Sequence, residues 1–437
     1  MKYRFTEKSA EASGDSLSHC ERAGVREDRE ADLREAEDHP PPDPLLEGEG
    51  TGPVSFPERE GTGPAFLPTG ERIHVLRVID AAANRAREGL RAVEDYVRFV
   101  LDDGHLTGRC KQLRHDLAAA LGRISPEHRL AARETQADVG TTLATPSEGR
   151  REGTAGVLTA NFTRVQEALR SLEEFGKLLD ANELWEASPT ATEASPTATE
   201  ASPTATLAAE LKQLRYRAYT LHRAVEITRT SLLRLDQARL CVLIDGRSTA
   251  GEFERLVVAL VETGVQVIQL RDKQLDDRRL LERARLLRGL TSRSNTLFIM
   301  NDRPDLAVLS RADGVHVGQG ELMVKDARTI VGPDALIGVS THTIEQARQA
   351  VLDGANYLGV GPVFPSGTKH FDEFPGVEVL RAVANEIRLP AFAIGGITRE
   401  NLPEVLAAGF TRVAVSGAVT TAAEPGDAAR RLLSTLT

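Results

Sequence analysis

The chain has 437 residues, with 54 Lys and Arg against 64 Asp and Glu, and a formal net charge of −10 at pH 7. This length exceeds one ordinary domain, so we expect two domains and additional tails. The acidic balance argues against a main role in binding nucleic acid or an anionic membrane, although local basic pockets remain allowed.

Cysteine usage and hydropathy indicate the cellular compartment in which the protein is expected to act. Cys20, Cys110 and Cys241 lack the spacing of metal ligands, so we expect isolated reduced thiols. No apolar run approaches the ~20 residues that span a bilayer, and the amino terminus lacks the apolar core of a signal peptide. We therefore expect a soluble, cytoplasmic protein that acts on small molecules, without nucleic-acid or membrane partners. A homo-oligomer is compatible with the sequence, which leaves the oligomeric state open.

Residues 1–70 form the first segment. They are rich in Glu, Asp, Arg, Gly and Pro, as in His39-Pro40-Pro41-Pro42. Little apolar surface is available here to offset the entropy lost on ordering. We predict a disordered tail.

Residues 71–230 show a helical pattern. Apolar residues recur at spacings of three and four, which places them on one stripe of a long helix: Val78, Ile79, Ala82, Ala86, Leu90, Val93, Val97 and Val100. The segment Asn161–Phe175 repeats part of this helix, including its Glu, Leu and Arg residues. We predict a mostly helical domain in which these two related helices face one another.

The segment 186–206 interrupts this domain with three consecutive copies of EASPTAT. Proline in each copy excludes a continuous helix, and Ser, Thr and Ala leave little to bury. We predict a disordered insertion without chemistry, so that its excision leaves turnover intact.

Residues 238–437 alternate between short apolar strands and helical stretches. The predicted strands are Leu240–Ile244, Val265–Leu270, Leu297–Met300, Gly314–Val317, Leu336–Val339, Tyr357–Val360, Ala391–Ile394 and Arg412–Val415. Eight such strands within about 200 residues favour a single α/β domain, the (β/α)₈ TIM barrel. An open doubly wound sheet is the alternative, but Asp245-Gly-Arg does not supply the Gly-rich turn expected after its first strand.

Polar side chains follow the predicted strands, at the barrel end where such enzymes carry out chemistry. The second strand ends in Gln269, Arg271, Asp272 and Lys273, and the cations there suit a phosphate. Asp302 and Glu321 follow neighbouring strands and could share Mg²⁺, although each could instead cap a helix or pair with a cation.

The last three strands offer groups suited to a second phosphate. Ser366, Thr368 and Lys369 follow the sixth strand, Gly395-Gly396 the seventh and Val415-Ser416 the eighth. Barrels commonly bind phosphate with backbone N–H groups after strands seven and eight. Glycine pairs also serve simple tight turns. Together, the strand ends predict two phosphorylated substrates.

The motif series from about Leu240 to the carboxyl terminus resembles that of thiamine-phosphate synthase. The matching motifs, all in order, are Gln269–Lys273, Asn301-Asp302, His316–Gln319, Gly338–Ser340, Ser366–Lys369, Ile394–Ile397 and Val415-Ser416. The resemblance implies joining of hydroxymethylpyrimidine diphosphate to hydroxyethylthiazole phosphate, with release of pyrophosphate and with one Mg²⁺ per barrel as cofactor.

The resemblance also implies a role for each matching residue. The residues expected to hold the pyrimidine diphosphate are Gln269, Leu270, Arg271, Asp272, Lys273, Asn301, Ser340 and Lys369. The residues expected to hold the thiazole phosphate are Ser366, Gly367, Thr368, Gly396, Val415 and Ser416. Asp302 and Glu321 would ligate the metal. Arg271, Lys273 and Lys369 would be catalytic, by stabilising charge on the departing pyrophosphate.

Two positions differ from the family pattern. Glu321 stands where the family usually has Asp, and Ser366 stands where it usually has Thr. A related barrel, the thiazole tautomerase, is the alternative within enzymes. It needs neither metal nor diphosphate, so the combination of Lys273, Asp302 and Lys369 speaks against it.

The helical domain resembles the module fused ahead of this synthase in some bacteria, which is associated with phosphorylation of hydroxymethylpyrimidine phosphate. The resemblance rests on Arg77–Asp80, Asn84–Asp95, Leu113–Asp116, Asp138–Thr141 and Asn161–Arg170. It implies ATP as a further cofactor. No Gly-rich nucleotide loop is present, and charged helical faces are often laced by i,i+4 pairs. A docking or dimerisation module without chemistry therefore remains the alternative.

Overall fold

The computed structural model describes residues 67–143, 150–181, 206–365 and 375–436. These residues belong to one unit, Thr62–Thr437. The predicted tail and the EASPTAT insertion lie outside the described residues, apart from 67–70 and Thr206. Within the described part of the chain, no helix is both long and apolar enough to cross a membrane.

The helical domain is built from two long antiparallel helices and their neighbours. Its helices are α1 (Thr69–Phe99), α2 (Gly104–Leu121), α3 (Pro126–Ala132), α4 (Gly153–Ala181) and α5 (Leu207–Arg234), with a 3₁₀ turn at Val139–Thr142. The predicted apolar stripe of α1 is buried from Ile79 to Val97. Val100 differs: it is 52% exposed because it lies at the carboxyl-terminal cap of α1, beyond the packed face.

The predicted pairing of the two related helices is confirmed, because α1 packs along α4. Their backbones approach closely at Gly89, where an added Cβ would lie 2.7 Å from Val165 Cγ2. Each helix buries one glutamate, Glu94 in α1 and Glu173 in α4.

The repetition extends to the partner helices. Lys-Gln-Leu-Arg occurs at 111–114 in α2 and again at 212–215 in α5. Arg114 Nε lies 3.0 Å from Glu94 Oε2, and Arg215 Nε lies 2.8 Å from Glu173 Oε2. The α1–α2 and α4–α5 pairs are therefore two versions of one helical hairpin, each tied by a buried glutamate–arginine pair.

The described residues on either side of the EASPTAT insertion contact one another. The carboxylate of Asp180, near the end of α4, accepts hydrogen bonds from the N–H groups of Leu207 (3.0 Å) and Ala208 (2.9 Å). Asp180 thus caps the first turn of α5, together with Thr206 at the N-cap position. The hairpin is closed by these contacts, which supports the prediction that the insertion can be excised.

The predicted barrel is confirmed: eight parallel strands pair in chain order and close through β1 and β8. The strands are β1 (Leu240–Ile244), β2 (Val267–Leu270), β3 (Leu297–Asn301), β4 (Gly314–Val317), β5 (Leu336–Thr341), β6 (Tyr357–Val360), β7 (Ala391–Ile394) and β8 (Val413–Val415). β2 begins two residues later than predicted, because the N–H of Val265 donates to the carbonyl of Leu260 in the turn after the preceding helix.

Helices follow the strands and cover the barrel. They are α6 (Ala250–Glu262), α7 (Asp277–Thr291), α8 (Pro304–Ser310), α9 (Val324–Val331), α10 (Ile344–Asp353), α11 (Gly376–Glu386), α12 (Leu402–Ala407), α13 (Gly417–Thr420) and α14 (Pro425–Leu436). The sequence reasoning missed α8, α9, α13 and α14. The first three are only one or two turns long, too short to show a clear helical period.

The helical domain closes one end of the barrel. Leu235 and Ala238, which follow α5, join the cluster that fills the barrel interior. Arg223 Nη2 donates to the carbonyl of Leu352, and Asn356 Nδ2 donates to Ser231 Oγ. These contacts lie just before the strands begin, so the helical domain sits at the amino-terminal ends of the strands.

Asp103 is the most buried charged contact between the helical domain and the barrel, at 1% exposure. Its Oδ1 accepts from the N–H of Leu106 at 2.7 Å and so caps α2. Its Oδ2 accepts from the N–H of Arg388 at 2.8 Å, just before β7. One carboxylate therefore both caps α2 and forms a hydrogen bond across the interface between the helical domain and the barrel.

We predict that Asp103→Ala lowers the free energy of unfolding by about 2–4 kcal/mol, because it removes a helix cap and leaves a buried N–H without an acceptor. Asp103→Asn, which keeps one acceptor oxygen, should lose about half as much. Urea denaturation of the full chain measures both changes. Equal stability of the alanine variant and the unsubstituted chain would contradict this role.

Candidate active site

A cavity of about 800 Å³ opens at the carboxyl ends of the strands. All eight strands or the loops that follow them contribute to its lining. The predicted site residues that line it are Gln269, Arg271, Asp272, Lys273, Asn301, Ser340, Gly396, Val415 and Ser416. The barrel thus brings together residues that are up to 147 positions apart in the chain, from Gln269 to Ser416.

Lys273 joins the two predicted metal ligands at the rim of this cavity. Its Nζ lies 3.4 Å from Asp302 Oδ2 and 4.0 Å from Glu321 Oε1. Asp302 and Glu321 come from the loops after β3 and β4, so neighbouring strands deliver both carboxylates to one cation. The lysine is 56% exposed, which leaves its ammonium accessible to a ligand.

Local backbone features orient the carboxylates of Asp302 and Glu321. Asp302 has φ of +60°, a left-handed conformation that Asp tolerates better than most residues. Its N–H donates to the carbonyl of His316 at 2.8 Å, which fixes it against β4. At Gly318 an added Cβ would lie 2.2 Å from Glu321 Oε2, so glycine there makes room for the folded-back carboxylate.

This arrangement fits a magnesium ion. Two carboxylates already converge on one positive group, the Lys273 ammonium, and oxygen is the ligand atom that Mg²⁺ prefers. Within the described residues, no group of three or more His, Cys, Asp or Glu side chains could hold a metal. Two protein carboxylates suit a metal that completes its coordination with water and substrate phosphate.

The floor of the cavity is a hydrogen-bonded set of side chains from β4, β5 and β6. His316 Nε2 lies 2.9 Å from Ser340 Oγ, and His316 Nδ1 lies 3.2 Å from the hydroxyl of Tyr357. Burial lowers the pKa of His316 to about 4, so its imidazole is neutral at physiological pH. His316 therefore positions Ser340 and carries no charge.

Gly338 makes this floor possible. A Cβ at position 338 would lie 2.1 Å from Tyr357 Cζ and 2.5 Å from His316 Nδ1. Residue 338 pairs directly with His316 on one side and with Tyr357 on the other. The two rings therefore occupy the space that a side chain at 338 would take.

Two residues of the Gln269–Lys273 motif, Leu270 and Asp272, make contacts that stabilise the fold. Leu270 is fully buried among the apolar side chains of the main core and does not line the cavity, because it alternates with Gln269 along β2. Asp272 lines the cavity, but its carboxylate accepts from the N–H groups of Gly246, Gln274 and Leu275 at 2.7–2.9 Å. Burial raises the pKa of Asp272, and these three donors outweigh it, so the net pKa is lowered.

The opposite side of the cavity is a glycine turn after β7. Gly395 and Gly396 have φ of +104° and +62°, which glycine adopts without strain. Asn401 holds this turn: its Nδ2 donates to the carbonyl of Gly396 at 2.9 Å, and its Oδ1 accepts from the N–H of Thr398 at 2.8 Å. Ser416, after β8, donates its hydroxyl to the carbonyl of Leu243 at 2.9 Å.

Four predicted residues, Ser366, Gly367, Thr368 and Lys369, lie outside the described residues. The sequence prediction left out other parts of the cavity, among them Asp245 and Thr398. Both follow strands that were predicted correctly, so including every polar residue within four positions of a strand end would have found them.

The comparisons with known proteins agree with this geometry. A family model described as thiamine monophosphate synthase matches residues 240–419, and one described as the ThiD2 family matches residues 77–195. The curated thiamine-phosphate synthase of Rhodopirellula baltica is 44% identical over 81% of this chain and 90% of its own length. That of Gloeobacter violaceus is 42% identical over 80% of this chain and 94% of its own.

The chain belongs to the thiamine-phosphate synthase family. A solved thiamine phosphate pyrophosphorylase from Pyrococcus furiosus is 35% identical, with a TM-score of 0.42, and covers 47% of this chain and 97% of its own. Both resemblances found in the sequence are thereby confirmed, the synthase in the barrel and the fused module in the helical domain.

We predict that Gly338→Ala in this synthase lowers the free energy of unfolding by about 1–3 kcal/mol, the usual cost of overpacking a filled core. Gly320→Ala is the matched control, since a Cβ at position 320 would meet nothing within 4 Å. Urea denaturation of the two variants compares them. Equal stabilities would show that residue 338 does not border the rings of His316 and Tyr357.

Proposed function

We propose that the barrel joins hydroxymethylpyrimidine diphosphate to hydroxyethylthiazole phosphate, giving thiamine phosphate and pyrophosphate. The observation that carries the proposal is the Lys273 ammonium between the carboxylates of Asp302 and Glu321, at the rim of a cavity whose opposite side is the Gly395-Gly396 turn. One side of the cavity suits a metal-bound diphosphate, and the other suits a phosphate monoester.

The pyrimidine diphosphate is assigned to the β2 and β3 side. Arg271, Lys273 and Asn301 offer donors there for phosphate oxygens, and Lys369 is assigned to the same diphosphate by family resemblance. Gln269 and Ser340 lie on the floor, where their polar groups suit the ring nitrogens and amino group of the pyrimidine. Asp272 contributes indirectly, because it shapes the loop that carries Lys273.

The thiazole phosphate is assigned to the β7 and β8 side. Backbone N–H groups at Gly396, Val415 and Ser416 are the expected donors, as in other barrels that bind phosphate after these strands. Ser366, Gly367 and Thr368 are assigned to the same phosphate by family resemblance. With both phosphates held at opposite sides, the two rings meet in the middle of the cavity.

The reaction needs no protein base. The bond between the pyrimidine methylene carbon and the diphosphate oxygen breaks, and pyrophosphate leaves with the electron pair. The aminopyrimidine ring supports the positive charge on the methylene carbon, to which the thiazole nitrogen donates its lone pair. No proton is transferred in this step, in agreement with the neutral, hydrogen-bonded state of His316.

Charge on the departing pyrophosphate is the main electrostatic problem. Arg271, Lys273 and Lys369 are proposed to stabilise it, the kind of contribution that is usually largest in such catalysis. Magnesium held by Asp302 and Glu321 would, when bound, neutralise further negative charge on the phosphate oxygens.

We predict that Asp302→Asn lowers kcat for thiamine phosphate formation by about 100-fold or more. The substitution removes a carboxylate proposed to hold Mg²⁺, and with it positive charge that stabilises the departing pyrophosphate. Asp305→Asn is the matched control: Asp305 lies three residues away, is 51% exposed and pairs with Arg303. Glu321→Gln should behave like Asp302→Asn, and Glu321→Asp should retain activity. The assay measures thiamine phosphate and pyrophosphate with and without Mg²⁺.

Several outcomes would contradict the proposal. If the full chain forms no thiamine phosphate from the two substrates with Mg²⁺, the synthase function is wrong, and the tautomerase alternative becomes the better one. If Asp302→Asn and Asp305→Asn retain equal activity, the metal assignment is wrong even where the barrel is active.

For the helical domain we propose phosphorylation of hydroxymethylpyrimidine phosphate with ATP, which would supply the barrel with its diphosphate. The match to the ThiD2 family over residues 77–195 supports this. The non-catalytic alternative is supported by a different observation, namely that Arg223 and Asp103 of the helical domain contact the barrel at the amino-terminal ends of its strands. ATP-dependent formation of the diphosphate by the full chain decides between them.

If both activities are present, we predict that the diphosphate passes through solvent. The helical domain contacts the barrel at the amino-terminal ends of the strands, whereas the barrel cavity opens at their carboxyl ends. Labelled pyrimidine monophosphate, ATP and thiazole phosphate should give thiamine phosphate whose label is diluted in proportion to added unlabelled diphosphate. Undiluted label would indicate direct transfer.

A further inference from the structure

A second cavity lies in the helical domain, away from the barrel. It measures about 460 Å³ and is formed by the first half of α1 and the segment after α3. We propose that this cavity binds a phosphate monoester, with Arg77 and Arg85 as its main cationic contacts. That the ester is the pyrimidine monophosphate rests on the kinase function proposed above; the anion site itself does not.

Three sequence motifs without an assigned role converge on this cavity. Arg77 and Asp80 come from the first motif, Asn84 and Arg85 from the second, and Asp138 from the third. The first two lie on one face of α1, while the third follows α3 about 50 residues later. The fold therefore gathers charged residues that the sequence leaves far apart.

The carboxylates around the cavity are already engaged. Asp80 is 5% exposed, and Arg133 binds it with two hydrogen bonds, Nε to Oδ2 at 2.6 Å and Nη2 to Oδ1 at 3.0 Å. Glu134 Oε1 accepts from the N–H groups of Gln136 and Ala137, and Asp138 Oδ1 accepts from the N–H of Gly140. Asp80 is therefore paired with Arg133, and Glu134 and Asp138 shape the loop between α3 and the 3₁₀ turn.

The cations are not engaged to the same degree. Among the residues that the structure describes, neither Arg77 nor Arg85 has a hydrogen bond or an ion pair within 4.0 Å. The positions three residues further on are Asp80 and Glu88, but in the described structure no ion pair within 4.0 Å joins Arg77 to Asp80 or Arg85 to Glu88. Arg77 and Arg85 thus line the cavity with no carboxylate within 4.0 Å among the described residues, although the charge of Arg77 interacts with that of Glu134 over a longer distance.

A further unsatisfied donor belongs to a residue near Asp80 that does not itself line the cavity. Arg129, whose charge interacts with that of Asp80, has a buried Nε without a hydrogen-bond partner in the described structure. A buried donor without an acceptor is unfavourable, and native structures usually satisfy such groups. The region around Asp80 therefore carries more donors than protein acceptors.

Phosphate is the ligand that this chemistry favours. Guanidinium groups bind phosphate oxygens through paired N–H donors. Arg77 and Arg85 are eight residues apart, about 12 Å along the helix axis, so one of them can hold a phosphate while the other meets a second group. Asn84 and Thr135 supply neutral polar groups between them. The cavity volume is within the ordinary range of about 300–1,000 Å³ for small-molecule sites.

The test uses the full chain, with thiamine phosphate at saturation to occupy the barrel. Calorimetry measures binding of hydroxymethylpyrimidine phosphate, with inorganic phosphate as a competitor. Hydrogen–deuterium exchange locates the ligand. We expect slower exchange in residues 77–85 and 133–138, and about tenfold weaker binding for Arg77→Ala and for Arg85→Ala, the loss typical of one charged hydrogen bond.

Two further variants keep the result interpretable. Arg98→Ala is the matched control, because Arg98 is an exposed arginine at the opposite end of α1, where it lies over the ring of Phe99. It should bind the ester as the unsubstituted chain does. Arg85→Lys keeps the charge without the fork of donors and should lose less affinity than Arg85→Ala. Condensation by the barrel in the same preparations reports how much of each variant is folded.

The outcomes separate this proposal from the kinase proposal. Binding that depends on Arg77 and Arg85, without ATP turnover, leaves the site standing and removes the kinase. ATP turnover combined with equal affinities of Arg77→Ala, Arg85→Ala and Arg98→Ala removes the site and leaves the kinase. Competition by inorganic phosphate shows that the phosphoryl group is recognised; no protection of residues 77–85 and 133–138 by either compound would overturn the proposal.

Discussion

Closure of eight parallel strands is the constraint on which the rest of the structure depends. A closed parallel barrel turns all its carboxyl ends to one side, so every loop that follows a strand meets the same cavity. Closure also creates an interior that side chains must fill. The register places His316 beside Gly338 and Gly338 beside Tyr357, so the floor of the site is also part of the core. Stability and positioning of Ser340 therefore share the same packing.

The charged residues at the rim of the cavity, unlike the packed side chains of its floor, contribute little to stability. Lys273 and its two carboxylates are only partly buried, and ion pairs of this kind contribute little to stability. In the reaction proposed above, the ammonium would move to a phosphate oxygen, and Asp302 and Glu321 would then be available to hold a divalent cation. A buried, rigid ion pair at this position would have to lose favourable contacts before either partner could meet a ligand.

The sequence predicted what short-range patterns determine. Apolar runs located all eight strands, and the residues after them identified nine of those that line the cavity, because a strand end fixes where the next side chains emerge. The sequence could not predict that Asp272 accepts a hydrogen bond from the N–H of Gly246, or that the rings of His316 and Tyr357 fill the space beside Gly338. Both contacts depend on partners distant in the chain. Likewise, the EASPTAT insertion separates α4 from α5 in the sequence, so their pairing into a second helical hairpin is not evident there. The hydrogen bond from the N–H of Leu207 to Asp180 shows it.

The position of the helical domain bears on why the two parts occur in one chain. Its hairpins share a fold with each other but not with the barrel, and their contacts with it lie at the amino-terminal ends of the strands. There Leu235 and Ala238 seal the apolar interior, while the N–H of Arg388 donates a partly buried hydrogen bond to Asp103 and so joins the two parts. These contacts stabilise the barrel without approaching its cavity. The second cavity, on the first half of α1, is formed without any barrel residue. The contacts between the two parts therefore indicate that each part stabilises the other. They do not form a shared site.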